Sequence, residues 1–399
     1  MRTKREKTDY AAANGSTSGD TVDIVAYMAV RLSNLPRTWR ASSVGTECSL
    51  HQLAPYIGKL KTRLAGTLVE QYSQEDDVVI DPFCGSGVVP LEALLRERSV
   101  IAADINPYAA VLTRAKLFPI SDVWRALGIA TEYVSRAKVL ARKRNHRVTA
   151  PPWVRRFFHP KTLAEVKTLA DLLRRNREWF LLGNLLGILH HQRPGFLSYP
   201  CSHLVPYLRH RKFPQAKYPQ MYKYRDVEPR LVAKLLRTYA RFDPTRIRTR
   251  RSFYKTDIRR LSMRTKANLA VTSPPYMNAL DYGRDNRLRL WFAGVRSHRK
   301  LDEALPTDEK AFTVLMEVTA RRLGTYLKPK GKAILIVGEV RKSRSVVRTD
   351  EIVRSVFENK IGGWRLLDQI TDSVPDIRRS RRSYRGTKKE WVLVFVKTR

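Results

Sequence analysis

One stretch constrains the fold of this chain more than any other: a short strand, a glycine turn, a helix, and a second strand that ends in an acid. Asp77–Ile80 is rich in β-branched residues, and the turn Asp81–Gly87 follows it with the sequence Asp-Pro-Phe-Cys-Gly-Ser-Gly. A helical pattern, Val88–Arg96, leads to the apolar run Val100–Ala103 and then to Asp104. This order is typical of a Rossmann-like nucleotide site.

The glycines and the acid predict what this site binds. Gly85 and Gly87 let the backbone approach a ligand, and the carboxylate of Asp104 can accept hydrogen bonds from both hydroxyls of a ribose. The turn lacks a third glycine, which argues against a dinucleotide pyrophosphate. No Gly-Lys-Ser/Thr follows it, which excludes a P-loop.

A second motif, Thr272–Tyr276, follows the apolar run Leu269–Val271 and reads Thr-Ser-Pro-Pro-Tyr. It is expected at the end of a buried strand, at the mouth of an α/β sheet. Two successive prolines fix φ and remove two donors, which predicts a rigid rim of acceptors beside a tyrosine ring. Such a rim suits a flipped nucleobase with an amino group. Taken alone, the motif fits equally well a loop that stops a strand and packs its tyrosine.

The charge of the chain predicts a polyanionic partner. The 399 residues carry a formal net charge of +39, from 76 Lys and Arg against 37 Asp and Glu. This excess favours nucleic-acid binding over solubility or membrane-surface attraction. No apolar stretch is long enough to span a bilayer, and Met1–Tyr10 does not resemble a secretory signal. Isolated Cys48, Cys84 and Cys201 indicate a reducing compartment, so an intracellular location is expected.

The segments DPFCGSG, ADINP and TSPPY together resemble the amino-methyltransferase family of DNA methyltransferases. Members of this family transfer a methyl group from S-adenosylmethionine to an exocyclic amino nitrogen. The resemblance covers Asp77–Lys116 and roughly Phe253–Lys397, and His51–Tyr72 resembles the segment that precedes the glycine turn in one permutation of the family. It implies double-stranded DNA as the partner, with the target base flipped out, and a restriction endonuclease encoded separately.

The resemblance also implies roles for individual residues. Asp81 would lie near the amino group of the cofactor, Asp104 on its ribose and Asp257 near its adenine amino group. The full predicted cofactor-binding set is Asp81, Phe83, Gly85, Ser86, Gly87, Asp104 and Asp257. The predicted catalytic loop is Ser273, Pro274, Pro275 and Tyr276.

The catalytic loop suits methylation of an amino nitrogen, whose lone pair is delocalised into the ring. Acceptors from Ser273 and the Pro274 carbonyl would favour a pyramidal nitrogen and stabilise the positive charge that develops on it. Tyr276 would stack on the flipped base. Carbon-5 methylation needs a cysteine nucleophile, and Cys201 follows Pro200 outside the sheet pattern, so we interpret it as structural. No ligand cluster for a metal is visible.

Within the family, Ser at the first position of the loop is commoner in cytosine-N4 enzymes, and Asp or Asn in adenine-N6 enzymes. Ser273 therefore favours cytosine N4, with adenine N6 as the alternative. An RNA substrate and a catalytically silent nucleic-acid-binding module are further alternatives, because charge does not distinguish RNA from DNA and would by itself support binding.

A long insertion separates the two halves of the resemblance. Helical patterns span Val123–Arg142, Leu163–Arg175, Trp179–His190 and Glu228–Phe242, with a loop rich in basic and aromatic residues between the last two. This loop is predicted to recognise the target, although a surface loop fixed by aromatic packing has the same composition. The predicted nucleic-acid contacts, here and near the catalytic loop and the C terminus, are Arg193, Tyr199, Arg209, Arg211, Lys212, Arg284, Arg378 and Arg379.

These patterns predict an α/β, Rossmann-like methyltransferase fold: a mostly parallel sheet with an antiparallel last strand, plus a helical basic insertion. Residues 1–50 form a basic lead-in, with a helix capped by Asp20 or Thr21 that runs to Leu35. Residues 51–117 are the cofactor half, 118–250 the insertion and 251–399 the catalytic half.

Overall fold

The computed structural model describes residues 30–40, 45–277, 281–341, 345–374 and 388–398. The strands in these ranges are β1 (Arg31–Asn34), β2 (Val78–Asp81), β3 (Ser99–Ala103), β4 (Arg251–Tyr254), β5 (Ala267–Thr272), β6 (Leu327–Gly338), β7 (Val340–Arg341), β8 (Val346–Val347), β9 (Trp364–Val374) and β10 (Lys388–Lys397). The α-helices are α1 (Arg37–Arg40), α2 (Thr62–Tyr72), α3 (Val88–Leu94), α4 (Pro107–Leu117), α5 (Val123–Lys143), α6 (Pro152–Arg155), α7 (Pro160–Arg175), α8 (Trp179–Gly187), α9 (Val227–Tyr239), α10 (Tyr282–Asp285), α11 (Arg287–Phe292), α12 (Arg299–Glu303), α13 (Glu309–Tyr326) and α14 (Thr349–Arg354).

The main sheet has eight strands in the order β1-β9-β10-β6-β5-β2-β3-β4. The neighbours from β4 to β6 are all parallel, and β10 is antiparallel to both β6 and β9. The predicted fold class is therefore confirmed. The strand order reverses at β2 and β5, and a crevice opens at the carboxyl ends of strands at such a point.

The segment before Leu35 differs from its prediction. Arg31–Asn34 is a strand rather than the end of a helix, and it pairs in parallel with β9 at the edge of the sheet. The Leu35 N–H continues this ladder to the Thr371 carbonyl at 2.8 Å. Pairing with a distant strand outweighs the local helical pattern. Asp20 and Thr21, the predicted caps, lie outside the described residues.

Two hydrophobic layers cover the two faces of the sheet. Alternate residues of each strand enter different layers: Val79 faces the layer of α2, α3 and α4, whereas Ile80 faces that of α13. Strands buried on both faces read as continuous apolar runs, which is why β2, β3 and β5 were recognisable in the sequence.

The insertion contains the four predicted helices, here α5, α7, α8 and α9, with ends that differ by a few residues, and the short helix α6, which was not predicted. Asp122 and Asp226 cap α5 and α9 by accepting the N–H groups of Arg125 and Glu228. Apolar residues of these helices belong to the same core layer as α3 and α4. The insertion thus packs directly onto the cofactor half, while the boundaries at 117 and 250 remain predictions.

Gly187 permits the closest approach between α8 and the loop before α2. A methyl group added there would overlap the carbonyl oxygen of Leu53, whereas one added to Gly128 in α5 would meet no atom within 4 Å.

We expect Gly187→Ala to destabilise the protein by about 1–3 kcal/mol, because overpacking against backbone cannot relax cheaply. Gly128→Ala is the matched control and should be neutral or stabilise by up to about 1 kcal/mol, because it removes only the entropic cost of a helical glycine. Urea denaturation measures both variants. Equal effects of the two substitutions would contradict the packing of α8 described above.

Candidate active site

A cleft of about 1070 Å³, its open mouth included, lies at the carboxyl ends of β2 and β5. It brings together the glycine turn, the acid after β3, the segment after β4 and the Ser-Pro-Pro-Tyr loop. Of the predicted cofactor and catalytic residues, those that line it are Asp81, Phe83, Gly85, Ser86, Asp104, Asp257, Ser273, Pro275 and Tyr276.

The glycine turn adopts backbone conformations that other residues rarely take. Gly85 has φ +49° and Gly87 has φ +71°, both in the left-handed region. A Cβ on Gly87 would lie 2.8 Å from Thr113 Oγ1 and 3.1 Å from Thr113 Cα, so a side chain there would push α4 away. Gly87 therefore lies beneath the turn as a packing residue, while Gly85 faces the cleft.

Asp104 fixes the turn from the end of β3. Its two carboxylate oxygens accept the N–H groups of Gly85 at 2.8 Å and Asn106 at 2.7 Å. Burial raises the pKa of Asp104 to about 6, although these N–H donors oppose the rise. The backbone N–H groups of Gly85, Asn106 and Ile105 use three of the four lone-pair positions of the carboxylate, so it can still accept a hydroxyl donor from a ligand.

Asp81 joins the glycine turn to the predicted catalytic loop. Its Oδ1 accepts the Thr272 hydroxyl at 2.6 Å and the Phe83 N–H at 3.2 Å. The side chain is almost fully buried, and this burial raises the pKa of Asp81 to about 7. Thr272 is thus a positioning residue that the sequence did not single out within the motif.

The predicted catalytic loop contacts β6. The Ser273 hydroxyl lies 3.2 Å from the Ile336 carbonyl and donates to it, which leaves the Ser273 oxygen as an acceptor. Tyr276 packs on Gly338, where an added Cβ would lie 3.5 Å from its Cε2 atom. Burial raises the pKa of the Tyr276 phenol well above its usual value. The loop thus presents an acceptor beside a neutral aromatic ring.

Two other predicted cofactor residues have partners of their own. Asp257 accepts the backbone N–H of Arg259 at 2.8 Å and pairs with its guanidinium at 3.0 Å. The Ser86 carbonyl accepts from the buried ammonium of Lys116 at 2.5 Å, and burial lowers the pKa of Lys116 to about 7. These contacts fix the positions of Asp257 and of the Ser86 backbone at the cleft.

The aromatic rim of the cleft was largely missed by sequence reasoning. Tyr56 and Tyr282 line it with ring centroids 6.3 Å apart, and Tyr56 lies 5.8 Å from Tyr108. Leu301 and Leu305 close the same side. Sequence reasoning gave no signal for Tyr56, Leu301 or Leu305, because they come from segments far from the two motifs.

The predicted recognition loop is tightly anchored. Arg225 is buried, and its guanidinium donates to the carbonyls of Phe196, Ser198 and Met221 at 2.6–2.8 Å. Tyr199 packs against Tyr222 with ring centroids 5.0 Å apart, so this predicted contact residue is engaged in packing.

The remaining predicted contacts are on or near the surface. Arg193, Arg211 and Lys212 are exposed, and Arg209 is half-buried and donates to Gln192. Arg284 is exposed beside the cleft residue Tyr282 and pairs with Asp281. Arg378 and Arg379 lie outside the described residues, and the described residues that follow them begin with β10 at Lys388.

Other kinds of site find no support in the described ranges. No group of three His, Cys, Asp or Glu residues there is arranged to hold a metal ion. All three cysteines are free thiols, and burial raises the pKa of Cys201. None of the helices described combines the length and apolarity needed to span a membrane.

Residues 56–180 match the family model of D12 class N6 adenine-specific DNA methyltransferases. This range holds the glycine turn and Asp104 but not the Ser-Pro-Pro-Tyr loop. A search of curated protein sequences found no match. The family match indicates a methyltransferase, and it identifies S-adenosylmethionine as the cofactor.

Solved structures that resemble the chain do so only distantly. TrmN from Thermus thermophilus is 12% identical with a TM-score of 0.36; the alignment covers 87% of this chain and 52% of that one. The rRNA methyltransferase aviRa from Streptomyces viridochromogenes is 13% identical with a TM-score of 0.32, covering 89% and 93% of the two chains. Likenesses this low carry no argument about substrate.

The buried Asp81 predicts a pH dependence of cofactor binding. We expect the affinity for S-adenosylmethionine to rise with pH through about 7, because only the ionised carboxylate attracts a cationic amino group and burial raises its pKa to about 7. The Asp81→Asn variant should lack the part of this increase in affinity that comes from ionisation of Asp81. Calorimetry at several pH values measures both proteins, and the ratio of their affinities cancels the titration of the cofactor itself. A ratio that stays constant with pH would contradict the assignment.

Proposed function

We propose that this protein methylates an exocyclic amino group of a base in DNA, with adenine N6 as the favoured target. The observation that carries the proposal is that the Asp104-held glycine turn and the Ser273–Tyr276 loop open into one cleft. A methyl donor bound on one side and a base held on the other would share that space. Assembly of the two motifs at the strand-order reversal is what a bisubstrate site of this fold requires.

The residues present fit S-adenosylmethionine. Its ribose hydroxyls suit the acceptors of Asp104, its amino group suits Asp81, and its adenine amino group suits Asp257. The left-handed Gly85 leaves the cleft side of the turn without a side chain. When bound, this cofactor supplies an electrophilic methyl group carried on a sulfonium.

The residues of the loop would prepare the amino nitrogen of the base for attack. The Ser273 oxygen and the Pro274 carbonyl accept the two amino hydrogens, which weakens conjugation of the nitrogen lone pair with the ring. The rigid prolines hold these acceptors in place before the base arrives, so they stabilise the developing positive charge without reorganisation. Tyr276 stacks on the flipped base, and the apolar rim excludes water.

Two observations bear on the target base, and they point in different directions. The matched family model is specific for adenine N6, which favours adenine. Ser273 in place of Asp or Asn favours cytosine N4, which is therefore the second candidate. The acceptor geometry of Ser273 serves either amino group, so the family match is our reason for placing adenine first.

Mass spectrometry of nucleosides tests the reaction directly. We expect N6-methyladenine in duplex DNA treated with the protein and isotope-labelled S-adenosylmethionine. N4-methylcytosine would establish the second candidate. Methylation confined to RNA, or none on either polymer, would overturn the proposal.

Tyr276 offers a graded test of the catalytic loop. Tyr276→Ala should lower kcat by about 100-fold or more while leaving cofactor affinity within about twofold, because loss of the ring removes the stacking that holds the base. Tyr276→Phe is the matched control and should retain most activity, because it keeps the ring. Stopped-flow or steady-state methylation assays measure both. Wild-type turnover by the alanine variant would remove Tyr276 from the mechanism.

The exposed cations of the recognition loop predict salt-dependent DNA binding. Neutralising Arg193, Arg211 and Lys212 to Gln should reduce the slope of log Kobs against log salt by about 0.9 for each phosphate that the protein no longer neutralises. The control is the same change at Arg321, Lys328 and Lys330, which are exposed. Lys328 and Lys330 lie near the start of β6, at the opposite end of the strands from the cleft, and Arg321 lies in the helix that leads into β6. Equal slopes for the two triple variants would place the DNA-binding surface elsewhere.

A further inference from the structure

The wall behind the catalytic loop is built by two strands that run in opposite directions. β6 ends at Gly338, just beyond the Ile336 carbonyl that binds Ser273. Because β10 is antiparallel to β6, the first residues of β10 lie beside the last residues of β6, and Glu390 pairs with Gly338. The last strand therefore brings a carboxylate to the edge where the catalytic loop lies.

Glu390 and Tyr276 meet over Gly338. A Cβ on Gly338 would lie 3.3 Å from Glu390 Cγ and 3.5 Å from Tyr276 Cε2, so both side chains occupy the space that glycine leaves open. Paired residues of antiparallel strands project to the same face of a sheet. After burial, the charge of Glu390 is the next contribution that raises the pKa of Tyr276.

Such a charge would assist the acceptors of the loop. Ser273, Pro274 and Pro275 are uncharged, yet the amino nitrogen becomes positive as its bond to the methyl carbon forms. The bond from carbon to the sulfonium would break in the same step with its electron pair staying on sulfur, and a nitrogen proton would then leave to the solvent at the open mouth of the cleft. A nearby carboxylate in partly buried surroundings favours that positive charge.

We propose that Glu390 is a positioning and charge-stabilising residue for this reaction, supplying from the last strand the carboxylate that the Ser-Pro-Pro-Tyr loop lacks. The inference rests on the proposed function. It explains how a loop that begins with Ser can serve the adenine chemistry in which Asp is commoner.

Other charged groups surround Glu390. Asp372 pairs with Glu390 across β9 and β10, and Lys61 Nζ lies 3.5 Å from Asp372 Oδ2. Lys61 follows Lys59 and Leu60, which line the cleft. Charges of both signs therefore lie near Glu390. A substitution that removes only the charge of Glu390 is the most direct test of its role.

Glu390→Gln keeps the size of the side chain and removes its charge. We expect it to lower kcat about tenfold, less than the loss of a group in direct contact with the reacting atoms, with KM for DNA, cofactor affinity and Tm unchanged. Glu390→Asp keeps the charge and should recover most of the activity. Glu132→Gln, an exposed acid on α5, is the matched control and should behave as wild type.

The outcomes are distinguishable. A wild-type kcat for Glu390→Gln in an assay where the unmodified protein methylates DNA would overturn the role of Glu390 alone. Equal reductions in kcat for the Gln and Asp variants, accompanied by a lower Tm, would show a packing role and also overturn it. If the unmodified protein methylates no amino group, the proposed function fails and the inference fails with it.

Discussion

The hydrogen bond between Thr272 and Asp81 is the interaction on which the site depends. Thr272 ends β5 and Asp81 ends β2, and these adjacent strands lead into the proposed catalytic loop and the glycine turn. With Asp104 bonded to Gly85, the chain of contacts runs from the end of β3 through the turn to the loop. Three strand ends are thereby fixed relative to one another.

This arrangement costs stability. The pKa values of Asp81 and Asp104 are raised by burial to about 7 and about 6, so between about pH 4 and pH 7 the folded protein holds protons that the unfolded chain has released. Stability therefore falls as pH rises through that window. Buried acids with raised pKa values at the mouth of a cleft are typical of sites kept for function rather than for folding. A cationic ligand would lower both pKa values and restore part of the stability that burial of these acids removes.

The insertion shows why composition alone predicts an interface poorly. The loop between α8 and α9 has the basic and aromatic residues of a nucleic-acid contact, yet Arg225 and Tyr199 serve internal packing while Arg193, Arg211 and Lys212 remain exposed. The same residue types therefore serve both internal packing and the exposed surface. Only the contacts separate the cations that anchor the loop from those that can meet phosphate.

The sequence by itself determined the glycine turn, the acid after the second strand and the Ser-Pro-Pro-Tyr loop, because each is a local conformation set by Gly, Pro and strand ends. It also determined the central strands β2, β3 and β5, since strands buried on both faces are continuous apolar runs. Tertiary structure alone decided that Tyr56 joins the rim, that Arg31–Asn34 is a strand, and that Glu390 lies beside Tyr276. These depend on contacts between segments far apart in the chain, for which neither periodicity nor spacing leaves a local trace.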